Sequence, residues 1–255
     1  MITIKNKAEL DIMKKAGEIV ALAHEIVKEK AKPGVTTKEL DKIAEEVIRK
    51  HNAIPSFKGY EGLPGAMNFP SSICASLNEE VVHGIPSNRV LKDGDILSVD
   101  IGAFYEGYHG DAARTIPIGN VSDKAINLIE VTKESFFRGI EKAVCGNRII
   151  DIAGAIEDYV KEHGYSVVRD YVGHGIGTKM HEDPSVPNYR SKFRGPRLQK
   201  GMTIAVEPMV NVGTYKVKVL GNKWTVVTAD GELSAHYENT IAITEKEPMI
   251  LTMLY

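Results

Sequence analysis

The chain has 255 residues, 43% of them apolar, enough to bury a full core in one compact domain. Thirty-two basic side chains against thirty-four acidic ones leave it near neutrality, which argues against a nucleic-acid backbone or an anionic membrane as partner. Cys74 and Cys145 are far apart and lack a C-x-x-C pattern, so they fit a reducing cytoplasm. No uncharged apolar stretch approaches the roughly 20 residues of a bilayer span, and the first six residues lack a secretory pattern.

Taken in chain order, the first predicted element is a helix from Lys7 to Lys30. Leu10, Met13, Ala16, Ile19, Val20, Ala23, Ile26 and Val27 recur there at three and four, and Asn6 with Glu9 supplies a capping box. Pro33 and Gly34 separate it from a second helix, which starts at Thr36, has Glu39 three residues on, passes through Leu40, Ile43, Ala44, Val47 and Ile48, and frays near His51 and Asn52. Strand formers and turn residues fill 71–82 and 95–118. Ser122 then caps a third helix through Ile126, Ile129, Phe136, Phe137 and Ile140; Gly146 breaks it, and a fourth helix occupies 149–163. Further strand-like stretches are 203–212, 224–229 and 233–244.

The two helix pairs overlay at a constant offset: Gly34 on Gly146, Leu40 on Ile152, Glu45 on Glu157, Ile48 on Val160 and His51 on His163. A duplicated unit follows, with residues 1–255 forming one domain of two halves, roughly 1–120 and 121–255. Helix pairs followed by runs of strands argue for an α+β fold, an antiparallel sheet with helices packed on one face.

Four carboxylates stand where strands should be apolar. Asp100 interrupts Ile96-Leu97-Ser98-Val99-Asp100-Ile101-Gly102, and an unpaired charge there costs several kcal/mol or more. A hairpin centred near Tyr105 and Glu106 sets Asp111 opposite Asp100 or one bulge away, a repulsive arrangement unless a cation lies between; Arg114 is the plainer counter-ion. Glu207 interrupts 203–210 and Glu238 opens the strand in 235–243, which puts four acids on strands of one sheet. His174 stands among glycines in Gly173-His174-Gly175-Ile176-Gly177, where it presents an imidazole beside closely approaching backbone. Four carboxylates and one imidazole suit a pair of manganese, iron, cobalt or zinc ions, and the two-metal hydrolases use such a site.

At these residues the sequence resembles the type I methionine aminopeptidases over nearly its whole length. The motifs that carry the resemblance are Val82-His83-Gly84-Ile85-Pro86, Val99-Asp100-Ile101-Gly102, His109-Gly110-Asp111, Gly173-His174-Gly175-Ile176-Gly177, His181-Glu182, Gly201-Met202-Thr203, Val206-Glu207-Pro208 and the segment 234–240. The resemblance implies the pita-bread fold, with pseudo-twofold halves placing two divalent ions on Asp100, Asp111, His174, Glu207 and Glu238. It implies removal of the initiator methionine from nascent polypeptides when the second residue is small, by a metal-bound hydroxide attacking the scissile carbonyl. Glu207 doubles as proton shuttle, His83 and His181 hydrogen-bond the substrate, and Tyr60, Phe69, Cys74, Met180 and Trp224 form the methionine pocket.

Three features depart from the family pattern: Phe57 where cysteine is frequent, Met180 where phenylalanine is common, and a short insertion from Leu63 to Asn68. Asn78 and Ser234 match positions that hold a monovalent cation in relatives. The absence of an extension before Lys7 fits a bare bacterial-style catalytic domain, a cytoplasmic monomer with the ribosome as candidate partner, binding neither nucleic acid nor membrane. A proline-specific peptidase of the same fold and a non-catalytic binding protein of that fold are the rival readings.

Overall fold

The computed structural model describes residues 2–62 and 64–254. The first helix, α1, spans Lys7–Lys30. Its start is fixed from both sides: Glu9 N donates to Asn6 Oδ1 at 3.1 Å, and Asn6 N donates to the Glu9 carboxylate at 2.7 Å. Met13, Ala16, Ile19, Val20, Ala23 and Val27 turn inward as their spacing predicts. The second helix, α2, spans Thr37–Lys50 and carries the predicted Thr36–Glu39 box.

Ser122 Oγ accepts from Ala125 N at the head of α3, Asp123–Ile140. Ile126 is a correction here, since it is 42% exposed: the buried stripe passes through Ala125, Leu128, Val131, Phe136 and Ile140, and leaves Ile126 on its flank. The last helix, α4, spans Ile149–Glu162. Both α2 and α4 are 14 residues long and end alike, with His51 Nδ1 on Val47 O at 2.9 Å and His163 Nδ1 on Tyr159 O at 2.8 Å.

Every strand pairing among the described residues is antiparallel, as predicted, and hydrogen bonding divides the strands into four sheets. The long hairpin of Ile96–Tyr105 and Tyr108–Pro117 anchors the first sheet. Its loop is Glu106-Gly107, with φ of 46° and 91°, the doubly positive geometry that matches strand twist. The hairpin is therefore centred one residue later than the sequence suggested, and Asp100 faces Ala113 while Asp111 faces Gly102. The two aspartates are diagonal neighbours on one face, not directly opposed.

One core packs α1 and α2 on this hairpin through Val20, Leu40, Ile48, Leu97 and Val99. A second packs α3 and α4 on the later strands through Phe136, Ile152, Ile156, Ile204 and Ile241. A small cluster including Met13, Phe69, Cys74, Ile176 and Met180 is separate from both, and its Phe69, Cys74 and Met180 line the cavity described next. No helix among the described residues is long and apolar enough to cross a membrane.

Candidate metal centre

Glu207 and Glu238 are not strand residues, contrary to the sequence reading. Glu207 follows Thr203–Val206 and precedes Pro208, and Glu238 lies between Ser234–His236 and Asn239–Ala242. Proline has no N–H to continue a ladder, so the pairing stops there. The two breaks face each other, because Val206 pairs with Asn239 on one side and Met209 with His236 on the other. The four acids thus come from one hairpin and two breaks between sheets, not from strands of one sheet. The hairpin is tied to the second break by Glu238 N donating to Ala113 O at 3.0 Å.

Arg114 is not the counter-ion of these carboxylates. Its guanidinium donates to the main-chain oxygens of Glu238 and Ala113 and to Asn239 Oδ1 at 2.6 Å, and stacks on Tyr237 at 4.5 Å. It clamps the loop that carries Glu238. Thr240 does the same for Asp111, whose N–H it accepts at 3.1 Å and whose carbonyl its hydroxyl reaches at 2.9 Å.

His174 sits in the short strand Gly173–Gly175. A Cβ at Gly173 would strike the Ala205 carbonyl and one at Gly175 the Asp183 carbonyl, so the flanking glycines let neighbouring strands close around the imidazole. Nδ1 donates to Gly175 O at 2.8 Å, which leaves the Nε2 lone pair available. Nε2 lies 3.8 Å from Asp111 Oδ2 and 3.6 Å from Glu207 Oε1.

Burial raises Asp100 to about 7. Burial, then the Asp100 and Glu207 charges, pushes Asp111 well above the carboxylate range. Glu207 rises through burial and Asp100, and Glu238 through burial and its three acidic neighbours. His174 is lowered to about 3 by burial and by His181. Asp100 Oδ1, Asp111 Oδ1 and Glu238 Oε1 are buried without a hydrogen-bond partner. Buried carboxylate oxygens normally find partners, and three orphans converging beside a neutral imidazole fit divalent cations. Donor atoms of Asp111, His174 and Glu238 all lie within 4.8 Å of one another.

These groups form one wall of a cavity of about 140 Å³. The cavity is also lined by Phe57, Phe69, Cys74 and Met180, all buried, with Trp224 edge-on to Phe69 at 5.2 Å; Cys74 pairs with Asp100 across the sheet. Tyr60 and His181 stand at the mouth, joined at 2.6 Å between Tyr60 Oη and His181 Nδ1. His83 lies between Trp224 and Tyr171, with its ring edge-on to both. All the residues singled out from sequence for metal, catalysis and pocket line this one cavity. Phe57, noted from sequence only as a departure from the family pattern, joins them. Trp224 Nε1 donates to Met67 O at 2.8 Å, so Met67 packs beside the pocket; Leu63 lies outside the described residues. Asn78 and Ser234 meet through Ser234 N donating to Asn78 O at 2.9 Å.

His236 escaped the sequence reading. It is 2% exposed, and its donor atom groups with those of Asp100 and Glu238. The available signal was parity: His236 and Glu238 are two residues apart, the spacing that puts strand side chains on one face.

A cluster of carboxylates and imidazole at the base of a pocket, held by paired antiparallel sheets under helices, defines a metal-dependent hydrolase. The chain belongs to metallopeptidase family M24, whose model matches residues 11–245. It is 61% identical over 254 residues to a methionine aminopeptidase of Clostridium acetobutylicum, covering 99% of each chain. The crystal structure of the methionine aminopeptidase of Thermotoga maritima superposes with a TM-score of 0.95 at 44% identity, over 100% of both chains. The prolidase of Pyrococcus furiosus gives a TM-score of 0.76 at 25% identity, with 99% of this chain covering 66% of that one.

Proposed function

We propose that the chain is a metal-dependent methionine aminopeptidase that removes the initiator methionine from nascent proteins when the second residue is small. The observation that carries this reading is the cavity itself, which joins a carboxylate and imidazole wall to an apolar wall with room for one unbranched side chain.

Asp100, Asp111, His174, Glu207 and Glu238 would hold two divalent ions of the manganese, iron, cobalt or zinc class. When bound, such ions polarise a carbonyl oxygen and make water nucleophilic near neutral pH. The chain supplies the rest. Phe57, Phe69, Cys74, Met180 and Trp224 take the thioether, whose polarisable sulfur sits well against aromatic edges. His83 and His181 stand on the cavity wall where a peptide leaving the pocket must pass, and they hydrogen-bond its amide and carbonyl. Burial and His181 lower His83 to about 4, so it acts as a neutral donor or acceptor at working pH. Glu207 borders the cavity beside the other carboxylates; once ionised on metal loading it would take a proton from water and pass it to the leaving amine.

The residue after methionine emerges between the metal wall and His83, which favours small side chains there. The recurrence of α2 as α4 supports a single domain of two halves meeting near residue 120. The cytoplasm is the proposed compartment: among the described residues both cysteines are free thiols, as a reducing environment keeps them. A monovalent cation near Asn78 and Ser234 belongs to the same proposal, supported by their main-chain contact. Turnover of Met-Ala-Ser without turnover of Ala-Pro, by protein loaded with manganese or cobalt, is the expected result; cleavage of Ala-Pro alone would overturn the assignment.

A further inference from the structure

One imidazole outside the five assigned ligands also points into the cluster. His236 is 2% exposed, and its Nε2 has no hydrogen-bond partner. It lies 3.8 Å from Glu238 Oε2 and 3.9 Å from Glu207 Oε2. Those gaps are too long for hydrogen bonds, which place nitrogen and oxygen about 2.7–3.2 Å apart. They suit two donors on one ion, because bonds of about 2.1 Å at tetrahedral or wider angles separate the donor atoms by roughly 3.4–4.2 Å.

The imidazole has little freedom to turn elsewhere. His236 N donates to Thr115 Oγ1 at 2.8 Å, the same hydroxyl donates back to His236 O at 2.9 Å, and the residue pairs with Met209 across the strand. A buried ring nitrogen left without a partner is destabilising, which argues against a purely structural role.

Donor atoms of Asp100, His236 and Glu238 lie within 4.8 Å of one another, as do those of Asp111, His174 and Glu238. Each group holds two carboxylates and one imidazole, with Glu238 common to both. We propose that His236 Nε2 ligates the ion held by Asp100 and Glu238, so that each of the two ions carries one imidazole. This rests on the dinuclear reading of the site. An imidazole in place of a further oxygen donor favours cobalt and zinc over manganese at that position, following ligand softness and the usual order of divalent affinities.

The test is proton NMR of the protein stripped with chelator and reloaded with two equivalents of cobalt under argon, together with calorimetric titration. Hyperfine-shifted ring signals from two imidazoles are expected in the wild type. In His236→Gln one set disappears, and the weaker-binding cobalt dissociates at least about tenfold more readily. A wild-type spectrum with two cobalt ions bound but a single imidazole would overturn this proposal and leave the dinuclear reading intact. Uptake of fewer than two ions would overturn the dinuclear reading and this proposal with it. The wild-type spectrum decides the matter even if the variant folds poorly.

Discussion

Asp100 and Asp111 sit diagonally across one hairpin, Asp100 facing Ala113 and Asp111 facing Gly102, with both carboxylates on the cavity wall. That offset keeps the charges off direct opposition while aiming them at a common volume. It is set by the Glu106-Gly107 loop, which begins six positions after Asp100 and ends four positions before Asp111.

Asp100→Asn should stabilise the metal-free protein and impair metal binding. In the folded chain Asp100 titrates at about 7, raised from 3.8, so it keeps its proton where the unfolded chain has lost it. Stability from this group is present below about pH 4 and is lost as pH rises to about 7. In chelator, melting curves should show the variant gaining on the wild type across that window, by on the order of 2 kcal/mol at neutral pH. Added cobalt or manganese should reverse the order. A variant that falls behind in chelator at pH 7 would contradict this.

Glu207→Gln should lower kcat by at least about 10²-fold with a smaller change in KM, as expected when a proton-transfer group is lost and binding remains. Steady-state kinetics on Met-Ala-Ser, with metal content measured on the same samples, separates this from simple metal loss. Near-normal turnover would remove Glu207 from proton transfer.

Lys5 and Glu182 form a buried pair at 2.8 Å beneath the loop carrying His181. Burial alone would raise Glu182, but hydrogen bonds from Lys5, Thr3 and Lys179 N outweigh it and hold the carboxyl at about 2. Lys5→Met leaves that carboxylate buried and unpaired, at a cost of about 3 kcal/mol at pH 7. Because the folded pKa is depressed, the pair stabilises above about pH 4.5 and fades as pH falls toward 2. Denaturant melts should show the gap between wild type and variant closing over that interval.

Cys74 should resist alkylation while Cys145 reacts. Burial, then the charge of Asp100, pushes the Cys74 thiol well above its ordinary range, whereas Cys145 is exposed. Iodoacetamide at pH 8 followed by peptide mass spectrometry should find label on Cys145 alone; rapid labelling of Cys74 would mean that the pocket opens widely.

Much of this was legible because local chemistry decided it. The Asn6–Glu9 and Thr36–Glu39 boxes are sequence-local devices, and both fixed a helix start correctly. Asp100, Asp111 and His174 announced themselves as polar groups in apolar or glycine-flanked strands. Register was harder: a two-residue loop requires positive φ at both positions, and Glu106 gave no glycine-like signal for it. The strand breaks at Glu207 and Glu238 depend on two distant segments stepping between sheets together, which pairing reveals and pattern does not. His236 was hidden for the same reason, since a histidine in a strand-like run reads as packing until the strand beside Glu238 is placed.

Calorimetric titration of the chelator-stripped protein with cobalt at pH 7.5, in two buffers of different protonation enthalpy, tests the cation-binding cluster most directly. Two ions per chain are expected, with heats that differ between buffers because Asp111, Glu207 and Glu238 give up protons as the ions enter. Binding of less than one ion, or heats identical in the two buffers, would contradict a carboxylate cluster built to hold metal.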